Sequence, residues 1–103
     1  MSGYLLTLRA RDDLRAIGDY YEAEAGPRVA RKIVVQLVEA FRFPAGSPGA
    51  GHFREDLLGS RPVRFWGVGS LLILYEDKSR PVRILTIVHG SRDIPGLFRA
   101  RGF

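Results

Sequence analysis

The spacing of apolar residues changes along the chain from briefly extended, to helical, to alternating, and each change predicts an element. YLLTLR at 4–9 reads as a short strand. In ARDDLRAIGDYYEAEAG, Leu14, Ile17 and Tyr21 recur at helical spacing, and Asp12 and Asp13 stand near the start, where a helix dipole favours acids. Gly26 supplies a stop and Pro27 a first-turn proline, so a second helix follows and the pair forms an α-hairpin. That helix, about 27–43, carries Val29, Ile33, Leu37, Ala40 and Phe41 on one stripe, with Val34 and Val38 beside it and Val35 beyond. The arc is wider than the roughly 100° stripe one core contact needs. It fits a second apolar surface that meets a partner, or a helix sunk deep in a small fold.

FPAGSPGAGHFRED at 43–56 has too many glycines and prolines for regular structure and reads as a surface loop. It lacks the lysine and the strand-to-helix setting of a phosphate-binding loop. From Arg61 the period becomes two, with Val63 and Phe65 alternating against Arg64 and Trp66, then a turn at Gly67 to Gly69. LLILY at 71–75 is apolar without interruption, so it predicts a strand covered on both faces, central between strands at Val63 to Trp66 and Val82 to His89, with EDKSRP as the connecting hairpin loop. The order predicts an α+β fold: an N-terminal strand, then an α-helical hairpin packed on a small antiparallel sheet. With 103 residues, 46% hydrophobic, one domain over 1–103 is expected, and neither repeats nor linkers divide it.

Composition narrows the chemistry. Absent cysteine excludes disulfides, thiol nucleophiles and cysteine-ligated zinc, and it fits a reducing compartment such as the cytoplasm. Leu71 to Tyr75, the longest apolar run, is far below the roughly 20 residues of a membrane span, and the Met1 region does not read as a signal peptide. The net charge of +5 is uneven, because Lys78, Arg80, Arg83, Arg92, Arg99 and Arg101 face only Asp93 in the last quarter. All the basic residues except Lys32 and Lys78 are arginine, whose planar fork suits carboxylates and phosphates equally. Nucleic acid, an acidic protein segment or plain solvent all fit such a surface.

Three constellations are candidate sites. His89, Ser91 and Asp93 have the residue types of a nucleophilic triad, but neighbours along a chain do not converge as a triad must. HGSRDI therefore reads as a strand end and turn, with Arg92 and Asp93 bracing one another. His52 with Glu55 and Asp56, or with His89, has no recognised metal-ligand spacing, and no metal or cofactor is expected. Arg64, Arg83, Arg92 and Arg99 with His89 would suit phosphodiester cleavage in a basic groove, with Phe65, Trp66 and Phe98 as stacking surfaces. Core packing explains at least two of those three rings equally well.

Together, the strand-helix-helix opening, PGAGHFRED, RPVRFWGVGSLLILYED and the closing VHGSRDIPGLF resemble the RelE/ParE superfamily of bacterial toxin-antitoxin toxins. The ParE branch, the plasmid-stabilisation toxins, is the closer match. The resemblance covers nearly the whole chain and is most specific in VGSLLILYED and HGSRDI. It implies a cytoplasmic toxin neutralised by a ParD-like ribbon-helix-helix antitoxin, which binds operator DNA and wraps the toxin with its C-terminal tail. Antitoxin contacts are expected at Val34, Val35, Val38, Arg64 and Arg83, and target contacts at Arg92, Phe98, Arg99 and Arg101. The ParE branch implies DNA gyrase as target, whereas the RelE branch implies ribosome-dependent cleavage of messenger RNA. A ribonuclease would use Arg64, His89 and Arg92, but Leu72 stands where that branch has an arginine and Phe98 near its tyrosine. Gyrase inhibition without catalytic residues is the resulting expectation, and a module that only co-represses with its partner is a third reading.

Overall fold

The computed structural model describes residues 3–46, 51–59, 61–76, 78, 80–90 and 92–101. The side chains of Ala45, Glu55, Asp56 and Arg101 lie outside that description, as does Ser91 of HGSRDI. In chain order the elements are β1 (Tyr4–Leu6), α1 (Leu8–Ala25), α2 (Pro27–Ala40), α3 (Arg42–Gly46), β2 (His52–Phe53), α4 (Glu55–Leu58), β3 (Val63–Val68), β4 (Leu71–Glu76), β5 (Val82–His89) and α5 (Ile94–Arg101). The sheet runs β1-β5-β4-β3-β2, so β4 is its middle strand, between the two neighbours its apolar pattern predicted.

The expected hairpin is present. Thr7 caps α1, its Oγ1 accepting the Ala10 N–H at 3.1 Å. Gly26 ends α1 at φ 91°, a left-handed conformation that costs glycine little, and Pro27 opens α2. The helices approach closely at Gly18, where a Cβ would lie 3.3 Å from the Val34 Cγ2.

Several boundaries differ from the sequence reading. Because Thr7 caps a helix, the first strand stops at Leu6 rather than Arg9. Helix α2 ends at Ala40, with α3 following after Phe41. The stretch read as loop contains most of α3, all of β2 and the start of α4, elements too short to impose a period. Gly67 is inside β3, which reaches Val68 before the turn. The sheet is mixed rather than antiparallel, since Tyr4 to Leu6 pair in parallel with Val82 to Ile84. Parallel neighbours need a long crossover connection rather than a tight turn, and here everything from α1 to β4 lies between the two strands.

Both faces of the sheet are covered, which is why β4 lacks a polar face. On one, the hairpin residues Ala10, Leu37, Ala40 and Phe41 pack with Leu71, Ile73, Tyr75, Val82, Ile84 and Ile87. On the other, Leu58, Ile94 and Phe98 from α4 and α5 pack with Val63, Phe65, Leu74, Leu85 and Val88. The register slips between Leu74 and Tyr75, whose partners are Thr86 and Ile84, so β5 carries one extra residue, Leu85. This bulge lets Ile84 and Ile87, three apart, serve the same core.

Candidate functional site

The edge of β5 beyond β1 is finished by side chains. Past Ile84 no strand among the described residues covers that edge, and Thr7 and helix α1 supply the missing partners. The Thr7 N–H donates to the Ile84 carbonyl at 3.1 Å and its hydroxyl to that of Leu85 at 2.8 Å. The Asp13 carboxylate accepts the Ile87 N–H at 3.2 Å and the hydroxyl of fully buried Thr86. Asp13 thus docks helix on sheet. The dipole role read from sequence does not hold, because α1 begins at Leu8 and has no acid in its first turn.

Two grooves border α1, one on each flank. The first, about 620 Å³, runs between α1 and α2 and is lined by Leu6, Leu14, Val34 and Val35, by Arg11, Arg15 and Arg31, and by Asp19 and Glu22. Of the valines expected to meet a partner, Val35 is 47% exposed, Val34 is half-buried and Val38 packs against the core. Part of the wide arc on α2 is therefore ordinary packing, and Val35 is its open member. The second groove, about 540 Å³, lies between α1 and the ends of β4 and β5, where Asp13, Tyr20 and Tyr21 meet His89 and Arg92.

The basic residues disperse. Arg64 on β3 donates from Nη1 to the Gly51 carbonyl at 2.9 Å, and its guanidinium lies 4.0 Å over the Phe53 ring. Arg83 forms an exposed ion pair with Glu76 at 3.0 Å. Arg64 sits level with Tyr75 on β4 and His89 level with Leu71, four residues along that strand, so they stand about 13 Å apart in the strand direction alone. No single groove gathers Arg64, His89 and Arg92. Arg99 is exposed on α5, and Arg101 is in the same helix.

HGSRDI is a strand end, a turn and a helix cap. His89 closes β5, its carbonyl accepts the Arg92 N–H at 3.0 Å, and Asp93 caps α5 by accepting the Gly96 N–H at 3.1 Å. The expected Arg92–Asp93 brace does not form, because the Asp93 carboxylate faces Gly96 of that helix. Phe98 is 1% exposed in the core, beneath the Arg61 guanidinium at 5.6 Å. Phe65 is buried too, and Trp66 stacks on the exposed Phe43 with ring centres 5.4 Å apart. Leu72 is half-buried against the α5-side core. Among the described residues no three His, Asp or Glu side chains gather as metal ligands, and no helix is long and apolar enough to cross a membrane. Sequence reasoning missed Asp13, Tyr20 and Tyr21 as neighbours of His89; their helical spacing with Ile17 was the available signal.

This architecture matches known proteins. Among solved structures, the chromosomal ParDE toxin-antitoxin system from P. aeruginosa is similar, with a TM-score of 0.73 and 26% identity, over 86% of this chain and 96% of that one. No curated protein matches. A family model described as the ParE toxin of the type II toxin-antitoxin system, parDE, matches residues 4–94, from the first strand to the start of the last helix. By that match the chain belongs to the ParE toxin family of type II toxin-antitoxin systems.

Proposed function

We propose that this protein is the toxin of a cytoplasmic toxin-antitoxin pair, that a ParD-like antitoxin holds it silent, and that the free toxin poisons DNA gyrase. The observation that carries the antitoxin contact is the groove along the hairpin, where exposed Val35 and half-buried Val34 lie among Arg11, Arg15 and Arg31. An amphipathic acidic tail is the complement of such a surface: its apolar side chains bury against the valines and its carboxylates meet the guanidinium forks. Operator DNA is bound by the antitoxin's ribbon-helix-helix part, so the toxin joins the repressor complex through its partner.

Gyrase is preferred over messenger RNA on chemical grounds. A ribonuclease groove needs a proton donor and converging cations. Here Leu72 is apolar, Phe98 is buried, and Arg64 is committed to the loop at Gly51 and Phe53. Target contact then falls to the exposed basic residues Arg92 and Arg99, with Arg101 beside them in sequence.

The test sets a purified gyrase supercoiling assay beside primer extension on messenger RNA from cells expressing the toxin. Supercoiling should fall and no codon-linked cuts should appear. Cuts that vanish in Arg92→Ala, with supercoiling untouched, would reverse the ranking.

A further inference from the structure

The groove on the other flank of α1 is no part of the antitoxin contact and shares only Arg92 with the gyrase proposal, and its chemistry differs from that of the hairpin groove. Tyr20 and Tyr21 enter it from the helix, His89 and Arg92 from the end of the sheet, and Ile17 and Ile87 provide apolar wall. The two tyrosine rings meet edge to face at 5.2 Å, an arrangement that leaves a ring face open, and Tyr20 is 60% exposed. Arg92 is exposed, and its guanidinium has no ion pair among the described residues. The two nearby carboxylates are already engaged, Asp13 with β5 and Asp93 with the start of α5. Seven residues of α1, about 10 Å of helix, separate Asp13 from Tyr20, so an anion at the tyrosine end escapes most of its repulsion.

We infer that this cleft binds single-stranded nucleic acid, taking one unstacked nucleotide with its base on Tyr20 and its phosphate on Arg92. A stacking face beside a guanidinium with no ion pair among the described residues suits a nucleotide, since any base offers a π-face and two phosphate oxygens match the guanidinium fork. An acidic peptide is matched by several cations in a row, which the hairpin groove has with Arg11, Arg15 and Arg31 and this cleft does not. The net charge of +5 draws the strand to the surface. Binding alone is inferred; it stands apart from the antitoxin reading and shares Arg92, but not Tyr20, with the gyrase reading.

The experiment is fluorescence anisotropy of labelled oligothymidylate titrated with the purified chain at several salt concentrations. Arg92→Ala should weaken binding about tenfold and reduce the slope of log affinity against log salt by about 0.7, the loss of one single-strand phosphate contact. Tyr20→Ala should weaken it about tenfold with the slope unchanged, and Arg31→Ala in the other groove should leave the affinity of the tyrosine cleft intact. Both altered cleft side chains are exposed, so the core is preserved, and circular dichroism checks this. Three results overturn the inference: no binding by the unaltered chain, affinity in the Arg92 or Tyr20 variant equal to that of the unaltered chain, or displacement of the oligonucleotide by polyglutamate of equal length as readily as by unlabelled oligothymidylate. Tyr20→Ala separates the two readings, since it should weaken oligonucleotide binding and keep gyrase inhibition in the supercoiling assay, whereas Arg92→Ala touches both.

Discussion

Gly51 has no room for a side chain. Its N–H donates to the Tyr75 hydroxyl at 2.8 Å, its carbonyl accepts from Arg64, and a Cβ there would lie 2.5 Å from the Tyr75 Oη and 2.9 Å from the Phe65 carbonyl. Tyr75 is fully buried and cannot swing aside, and the carbonyl belongs to a paired strand. Gly51→Ala should therefore cost about 1–3 kcal/mol, as overpacking of a filled core does, measured by urea denaturation. A change below about 0.5 kcal/mol would show that the loop yields. Arg64 belongs to the same unit. Its alternation with Val63 was legible in the sequence, and with it an outward side chain; its hold on Gly51, thirteen positions earlier, was not.

At the scale of elements, the far edge of β5 depends on α1. Removing Asp13 takes an acceptor from the Ile87 N–H and from buried Thr86, where burial leaves little water to substitute. Asp13→Ala should cost about 1–3 kcal/mol in urea denaturation and speed hydrogen exchange at Ile87, and an unchanged exchange rate there would remove Asp13 as the staple. Elements with strong periods were legible before the structure: Leu14 and Ile17 on α1, the break at Gly26 and Pro27, and β4 as the central strand. Those set by distant partners were not. Strand β2 has two residues and exists by pairing with Phe65 and Arg64, while IPGLFRAR hides a helix because Pro95 and Gly96 look like breakers until Asp93 is seen to cap them. The parallel pairing of β1 and the extra residue Leu85 leave no local mark, since both are properties of the partner strand.

For the whole molecule, one helix separates two surfaces of unlike chemistry, and only the hairpin side combines exposed valine with several arginines. Val35 is the residue through which the proposed antitoxin contact is best tested, because Val38 is packed against the core and its replacement would confound binding with folding. Val35→Asp should weaken the antitoxin complex by at least about 2 kcal/mol by calorimetry while leaving the thermal midpoint of the free toxin nearly unchanged. Unaltered affinity would place the tail elsewhere. The candidate site was half legible in sequence. His89 and Arg92 were visible as a cluster, but the tyrosines that share their cleft come from a helix about seventy positions away, a separation only the folded chain closes.

The pairing of Tyr4 to Leu6 with Val82 to Ile84 also orders events during synthesis. Helix α1 needs β5 as the surface on which Thr7 and Asp13 make their bonds, and β5 is the last strand among the described residues. A nascent chain still lacking Val82 to His89 has no strand to join β1 to the rest of the sheet and no acceptors or donors for Thr7 and Asp13. Those bonds therefore form only once Val82 to His89 have been made, and a partner made beforehand meets a hairpin that has not yet docked.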